Sequence, residues 1–203
     1  LMPNEKNAVV VIYRILNKGD FLAKIQVSPL INGRHFHSVT DRWKIPWEFV
    51  QGRGEKGEDI RFGIPQSVLM IKATGGHYHA RGQWVERIYY REEAARGESF
   101  LDDCYQPGYF EVDVSANRNG SFGVIAVTDE DQDAAQKVLR ELPVNMYDIE
   151  GLYEREGQHR RNLLTKFYEW YKSIPENDWL SWLILAANTF MVKGINDDLN
   201  SVI

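Results

Sequence analysis

Glu93, Arg96, Asp102 and Asp103 crowd into one short stretch of the chain, and they are the residues best placed by type to do chemistry. Acid–base cleavage of a glycosidic bond needs two carboxyl groups flanking it, close together in retaining enzymes and farther apart in inverting ones, with the acid's pKa raised by burial. Sequence spacing does not supply that separation. The same four residues also suit a brace, in which Glu93 and Asp102 or Asp103 hold Arg96 by bidentate ion pairs and stiffen a long loop. Bracing is the reading adopted for them.

A second constellation lies upstream. Arg34, His35, His37, Asp41, Arg42 and Trp43 sit on a loop following an expected strand. Arg and Asp can hydrogen-bond vicinal hydroxyls, His adds a switchable donor, and Trp offers a flat face for stacking. The loop reads equally well as a solvated connection whose Arg and Asp pair with each other. Arg34, His37 and Trp43, with Trp84 and Tyr89 farther along, are the residues expected to meet a sugar, if any do. His77 and His79 share a strand face at their i, i+2 spacing. No third ligand stands near them, so no metal site is expected, and no cofactor. Gly52-Arg53-Gly54-Glu55-Lys56-Gly57 lacks the Gly-Lys-Ser/Thr order of a phosphate-binding loop. Cys104 is the single cysteine, which excludes an internal disulfide and fits a cytoplasmic setting.

Composition narrows the classes further. Hydrophobic residues make up 43% of the 203-residue chain, enough for a sizeable core. The net charge of −5 argues against a nucleic-acid partner, which needs clustered positive charge. No apolar run approaches the roughly 20 residues of a membrane span. Six Trp, ten Tyr and nine Phe supply many faces that fill cores or stack on sugars.

These side chains must be positioned mainly by strands. Ala8 to Leu16 is β-branched and apolar, as in a strand buried on both faces. Asn17-Lys18-Gly19-Asp20 is a turn of the kind that joins antiparallel strands. Phe21 to Leu30 alternates. Asp59 to Ile64 and Ser67 to Ala73 read as two more strands. Gly76 to Gly82 and Gln83 to Tyr90 suggest a hairpin, and Tyr109 to Val114 with Ser121 to Val127 suggest another, joined by residues 115–120. Strands at this spacing predict an antiparallel β-sandwich over residues 1–128. Residues 129–203 change period. Thr128 with the following acids signals a helix start, and its stripe runs to Pro143. Gln158 to Ile174 and Asn177 to Met191 predict two further helices. The last, with Trp179 and Trp182, is apolar on most sides and should be buried against something large. Left uncovered, it should drive dimerisation. The polar tail after it should be loose.

Several motifs, taken together, resemble one family. Asn7-Ala8-Val9-Val10-Val11-Ile12-Tyr13, Arg34-His35-Phe36-His37, Trp84, Glu93, Arg96-Gly97, Asp102-Asp103, Tyr105-Gln106-Pro107-Gly108-Tyr109-Phe110 and the helix end Leu183 to Val192 fall in the order seen in the N-terminal region of archaeal- and bacterial-type glycogen debranching enzymes (amylo-α-1,6-glucosidases). Two departures are Asp102, where Glu is expected, and Cys104, where an aliphatic is usual. The resemblance implies a supersandwich-like domain, whose first strands can fall before this sequence, followed by linker helices that lead into a catalytic (α/α)₆ barrel. It also implies that the catalytic carboxylates lie in that barrel. The chain would then support hydrolysis of α-1,6-glucosidic branch points in glycogen without catalysing it, with an α-glucan and the barrel as its partners. Two other readings stand beside this one: a stand-alone carbohydrate-binding module, and a structural domain whose surface is an interface.

Overall fold

The computed structural model describes residues 1–3, 6–35, 38–45, 50–53, 59–64, 67–142, 145–189, 191–193 and 200–202. Two antiparallel sheets dominate it. The larger holds β1 (Ala8–Leu16), β3 (Val50–Arg53), β4 (Asp59–Ile64), β5 (Ser67–Ala73) and β8 (Asn119–Asp129), in the order β1-β8-β5-β4-β3. The smaller holds β2 (Ala23–Val27), β6 (His77–Tyr89) and β7 (Leu101–Val114), in the order β2-β7-β6. Neither sheet closes on itself. The helices are α1 (Arg91–Arg96), α2 (Gln132–Glu141), α3 (Met146–Trp170) and α4 (Asp178–Thr189). Two short strands, β9 (Met191–Lys193) and β10 (Asn200–Val202), pair with each other at the end. The chain is thus mainly β, a sandwich followed by helices.

The faces of the sheets explain the layering. On β8, alternate residues point opposite ways. Phe122 and Val124 join Ile60, Phe62, Ile71 and Phe110 in the core between the sheets. Ile125 and Val127 point the other way and meet Ala135 and Leu139 of α2 and Ile149 and Leu152 of α3. The large sheet is therefore covered by the small sheet on one side and by helices on the other. Fully burying each Phe or Ile contributes about 1.5–3 kcal/mol.

β1 lies at the edge of its sheet, and its burial differs from the expectation. Ala8 and Val10 reach the helical layer, while Tyr13 and Ile15 pack against the sandwich core. Each face is covered along only half the strand, so Val9 and Val11 remain 40% and 43% exposed. The strand buried on both faces is β8.

The expected reversals at residues 17–20 and 115–120 and the hairpin expected within residues 76–90 are all corrected. β1 pairs with β8 and β2 with β7, so residues 17–20 carry the chain from one sheet to the other. Residues 115–118 likewise connect β7 to β8 across the sandwich. Asn17 ties the two crossings together. Its side-chain amide donates to the carbonyls of Phe21, Val114 and Ser115, and its Oδ1 accepts from the Gly19 amide. A turn signal marks a reversal but not which sheet receives the next strand. The hairpin expected from Gly76 to Gly82 and Gln83 to Tyr90 is one strand, β6, interrupted by register shifts between Ala80 and Gln83 and between Val85 and Ile88.

The helices also shift. α2 is capped by Asp131, whose carboxylate accepts from the Ala134 amide at 2.8 Å; Thr128 stays in β8, opposite Leu69. α3 begins at Met146, capped by Asn145, well before Gln158. Pro143 and Phe190 lie outside the described residues. α4 packs on α3 and buries none of its residues. Trp179, Trp182 and Leu183 stay 64%, 71% and 58% exposed, so the burial expected of this helix is not supplied by the described chain. Residues 194–199 of the expected tail lie outside the described residues, and Asn200–Val202 form β10.

Candidate functional site

The site grows from the first residues of β7. Neighbouring strand residues point to opposite faces, so Asp102 and Asp103 serve different partners. The Asp102 side chain is fully buried. Its carboxylate accepts from the Thr40 amide at 2.7 Å, from Arg34 Nε and Nη2 at 3.0 Å each, from the Tyr90 hydroxyl at 2.9 Å and from Asn32 Nδ2 at 3.2 Å. Asp103 accepts from the Arg87 amide at 2.8 Å and the Arg42 amide at 2.9 Å. The two carboxylates act as fixed acceptors for backbone amides that no strand partner satisfies.

This explains how residues 31–35 and 38–44 are held. Ile31 bridges Tyr105, and the Asp103 amide donates to the Thr40 carbonyl. It also explains the second irregularity of β6. Arg87 has φ +58°, a left-handed conformation that costs a non-glycine residue about 1–2 kcal/mol. Its amide, turned out of the ladder, is met by Asp103.

The guanidinium partner of Asp102 is therefore Arg34, not Arg96. Arg96 pairs with Glu93 at 3.5 Å, one turn away on α1. Desolvation works against the Arg34 charge, but the Asp102 carboxylate outweighs it and holds the group above its ordinary range. Burial first, and then the hydrogen bond to Asp102, push the Tyr90 phenol up. With both aspartates spent on these bonds, Asp102 and Asp103 do not form an acid–base pair across an open bond.

Above this floor lies a cleft of about 950 Å³. Arg34 and Tyr90 form its base, and Tyr89, Arg91, Glu92, Glu93, Arg96 and Glu98 its rim, with Ser38, Val39 and Ser99 between. α1 sets the rim geometry. It stops at Gly97, φ +76°, where the Gly97 amide donates to the Ala94 carbonyl and the Glu98 amide to the Glu93 carbonyl. The Arg-Gly dipeptide is thus a helix terminus. Tyr89 is 58% exposed and meets Phe100 edge to face at 5.5 Å.

Of the five residues expected to meet sugar, Arg34 and Tyr89 line this cleft. Trp43 and Trp84 are not among its walls. Trp43 is 78% exposed, beneath the Arg42 guanidinium 4.1 Å from its ring, and Arg42 also pairs with Glu86. Trp84 is half-buried against Tyr105. His37 lies outside the described residues. The sequence reading missed Tyr90, Arg91, Glu92 and Glu98; the Glu93–Arg96 spacing of one helical turn was the available signal for α1. His79 stacks on Tyr109 at 4.9 Å. Among the described residues, no group of three or more His, Cys, Asp or Glu is placed to hold a metal ion.

The described residues thus form a sandwich backed by helices, with a polar cleft standing on the Asp102–Arg34 junction. The sequence profile of the family described as glycogen debranching enzyme N terminal matches residues 1–119, more than half of the chain. The chain belongs to that family. A comparison with curated proteins finds no match. Among the described residues, no helix is long and apolar enough to cross a membrane.

Proposed function

We propose that this chain is the non-catalytic, sandwich-bearing part of a cytoplasmic glycoside hydrolase of the debranching type. Its role is to support hydrolysis of α-1,6-glucosidic branch points in glycogen or a related α-glucan by a catalytic (α/α)₆ barrel. Family membership over residues 1–119 carries this reading. The engagement of Asp102 and Asp103 in backbone bonds supports the non-catalytic half of it. The face of α4 left uncovered by the described residues supports the other half. It is a charge-poor surface with two exposed tryptophans, suited to a helical neighbour. The test is glucose release from a branched limit dextrin by the 203-residue chain, where no turnover is expected and robust turnover refutes the reading. A debranching-type barrel supplied separately should bind the chain, with affinity falling about tenfold or more in Trp182→Ser.

The same exposed tryptophans favour a second reading, an interface domain that pairs with its own copy through α4. Sedimentation separates the two. A dimer abolished by Trp179→Ser/Trp182→Ser favours self-pairing, and a monomer that binds the barrel favours the first reading.

A further inference from the structure

We infer that the cleft between Arg34 and α1 is a binding site for a neutral, polyhydroxylated chain such as an oligosaccharide of pyranose units, and that it excludes phosphate and other anions. Its charges are matched. Arg91 pairs with Glu92 at 2.9 Å and Arg96 with Glu93 at 3.5 Å, while Arg34 is tied to Asp102. Glu98 adds a further negative charge to the rim. An anion entering the cleft meets no net positive charge, because a carboxylate already neutralises each arginine it approaches, and Glu98 and the buried Asp102 add repulsion. A neutral diol faces no such barrier. It can accept from guanidinium N–H groups and donate to carboxylates while those ion pairs stay intact, because each group has more hydrogen-bonding positions than one pair uses.

Two further features suit a sugar. Tyr89 offers an exposed ring held on one side by Phe100, so its free face can take the apolar face of a pyranose with little ordering cost. The floor is rigid, since Asp102 accepts from the Tyr90 hydroxyl, from Arg34 and from the Thr40 amide. Pre-set floors of this kind keep affinity by reducing what must be ordered on binding. The volume of about 950 Å³ is that of a site for several linked rings. That the sugar is an α-glucan rests on the function proposed above; its neutral, polyhydroxylated character rests on the cleft.

The experiment is a titration of the 203-residue chain followed by amide chemical shifts, using maltoheptaose, cellohexaose and inorganic phosphate as separate probes. Saturable shifts with maltoheptaose at millimolar concentration, centred on residues 89–99, are expected. Tyr89→Ala should weaken this binding about tenfold, while Trp43→Ala, outside the cleft, should leave it unchanged; melting curves confirm that both variants fold. Silence towards both sugars overturns the inference without touching the proposed supporting role, which the glucose-release and barrel-binding tests decide. Phosphate binding more tightly than either sugar, or sugar binding lost in Trp43→Ala and kept in Tyr89→Ala, also overturns it. Binding of cellohexaose alone keeps the cleft and removes the α-glucan assignment.

Discussion

Replacing Asp102 by Asn probes the junction on which the cleft stands. The side chain keeps its shape but loses its charge, and one acceptor oxygen becomes an NH₂ group facing donors. Removing one partner of a buried ion pair costs about 3–5 kcal/mol. The Asp102 side chain is fully buried while that of Arg34 is 24% exposed, so water can still reach the guanidinium. That places the cost near the lower end, about 3 kcal/mol. The Thr40 amide can still donate to the remaining oxygen. Asp102→Ala removes that acceptor too and should cost about 1–3 kcal/mol more. Against a total stability of about 5–15 kcal/mol, either loss is large. For a chain of this length, 3 kcal/mol corresponds to a fall in melting temperature of roughly 6–12 °C. The assay is urea unfolding followed by far-ultraviolet circular dichroism, read as a lower midpoint at unchanged slope. Arg34→Met should be far less costly in the Asp102→Asn background than in the wild type, because the two residues share one interaction. An Asn variant as stable as the wild type, or strict additivity with Arg34→Met, would refute the proposed role of this carboxylate.

Three other outcomes are expected. Gly108→Ala would set a Cβ 2.2 Å from the His79 carbonyl oxygen and 2.8 Å from the Tyr78 hydroxyl; β6 must move, at a cost of about 3 kcal/mol, and an unchanged melting point would contradict this packing. Glu111 is held below its ordinary 4.5 first by the hydrogen bond from Lys24 and then by that from Gln26. A depressed carboxylate contributes stability that is present above its unfolded value and lost as pH falls through the lower folded value. Acidification below pH 4.5 should therefore destabilise the wild type more than Glu111→Gln, and equal urea-midpoint profiles would count against the pairing. Burial first, and then the Asp102 charge, raise the Cys104 thiol above 9.0, and the residue is 8% exposed. An aromatic disulfide reagent should label it about a hundredfold more slowly in the native protein than in urea, whereas equal rates would mean that this strand opens freely.

What could be read from sequence divides by range. The bounds of β1, β4 and β5 follow from apolar runs closed by turn residues, a local signal. Which sheet each strand joins is set by distant pairing, so Ser115–Arg118 reads as a hairpin turn although it bridges two layers. The first break in β6 is legible at Gly82, but the second, where the Asp103 carboxylate meets the Arg87 amide, is not. Arg96 looked like the partner of Asp102 because it is close in sequence. The actual partner, Arg34, is 68 positions away, and only the fold brings it near. α3 was read short because its first turns mix acids and glycines with Ile149 and Leu152, the two residues that reach the sheet.

The helical cover on the large sheet changes what counts as a portable unit. Ala135, Leu139, Leu142, Ile149 and Leu152 share one apolar cluster with Ala8, Val10, Met70, Ile125 and Val127. Grafting this module onto another enzyme would mean carrying everything through the second turn of α3, because a transplant ending at the last sheet residue would expose a greasy plane to water and invite clumping. Swaps and fusions are better placed farther along, where α3 has left the sheet and its side chains already face solvent.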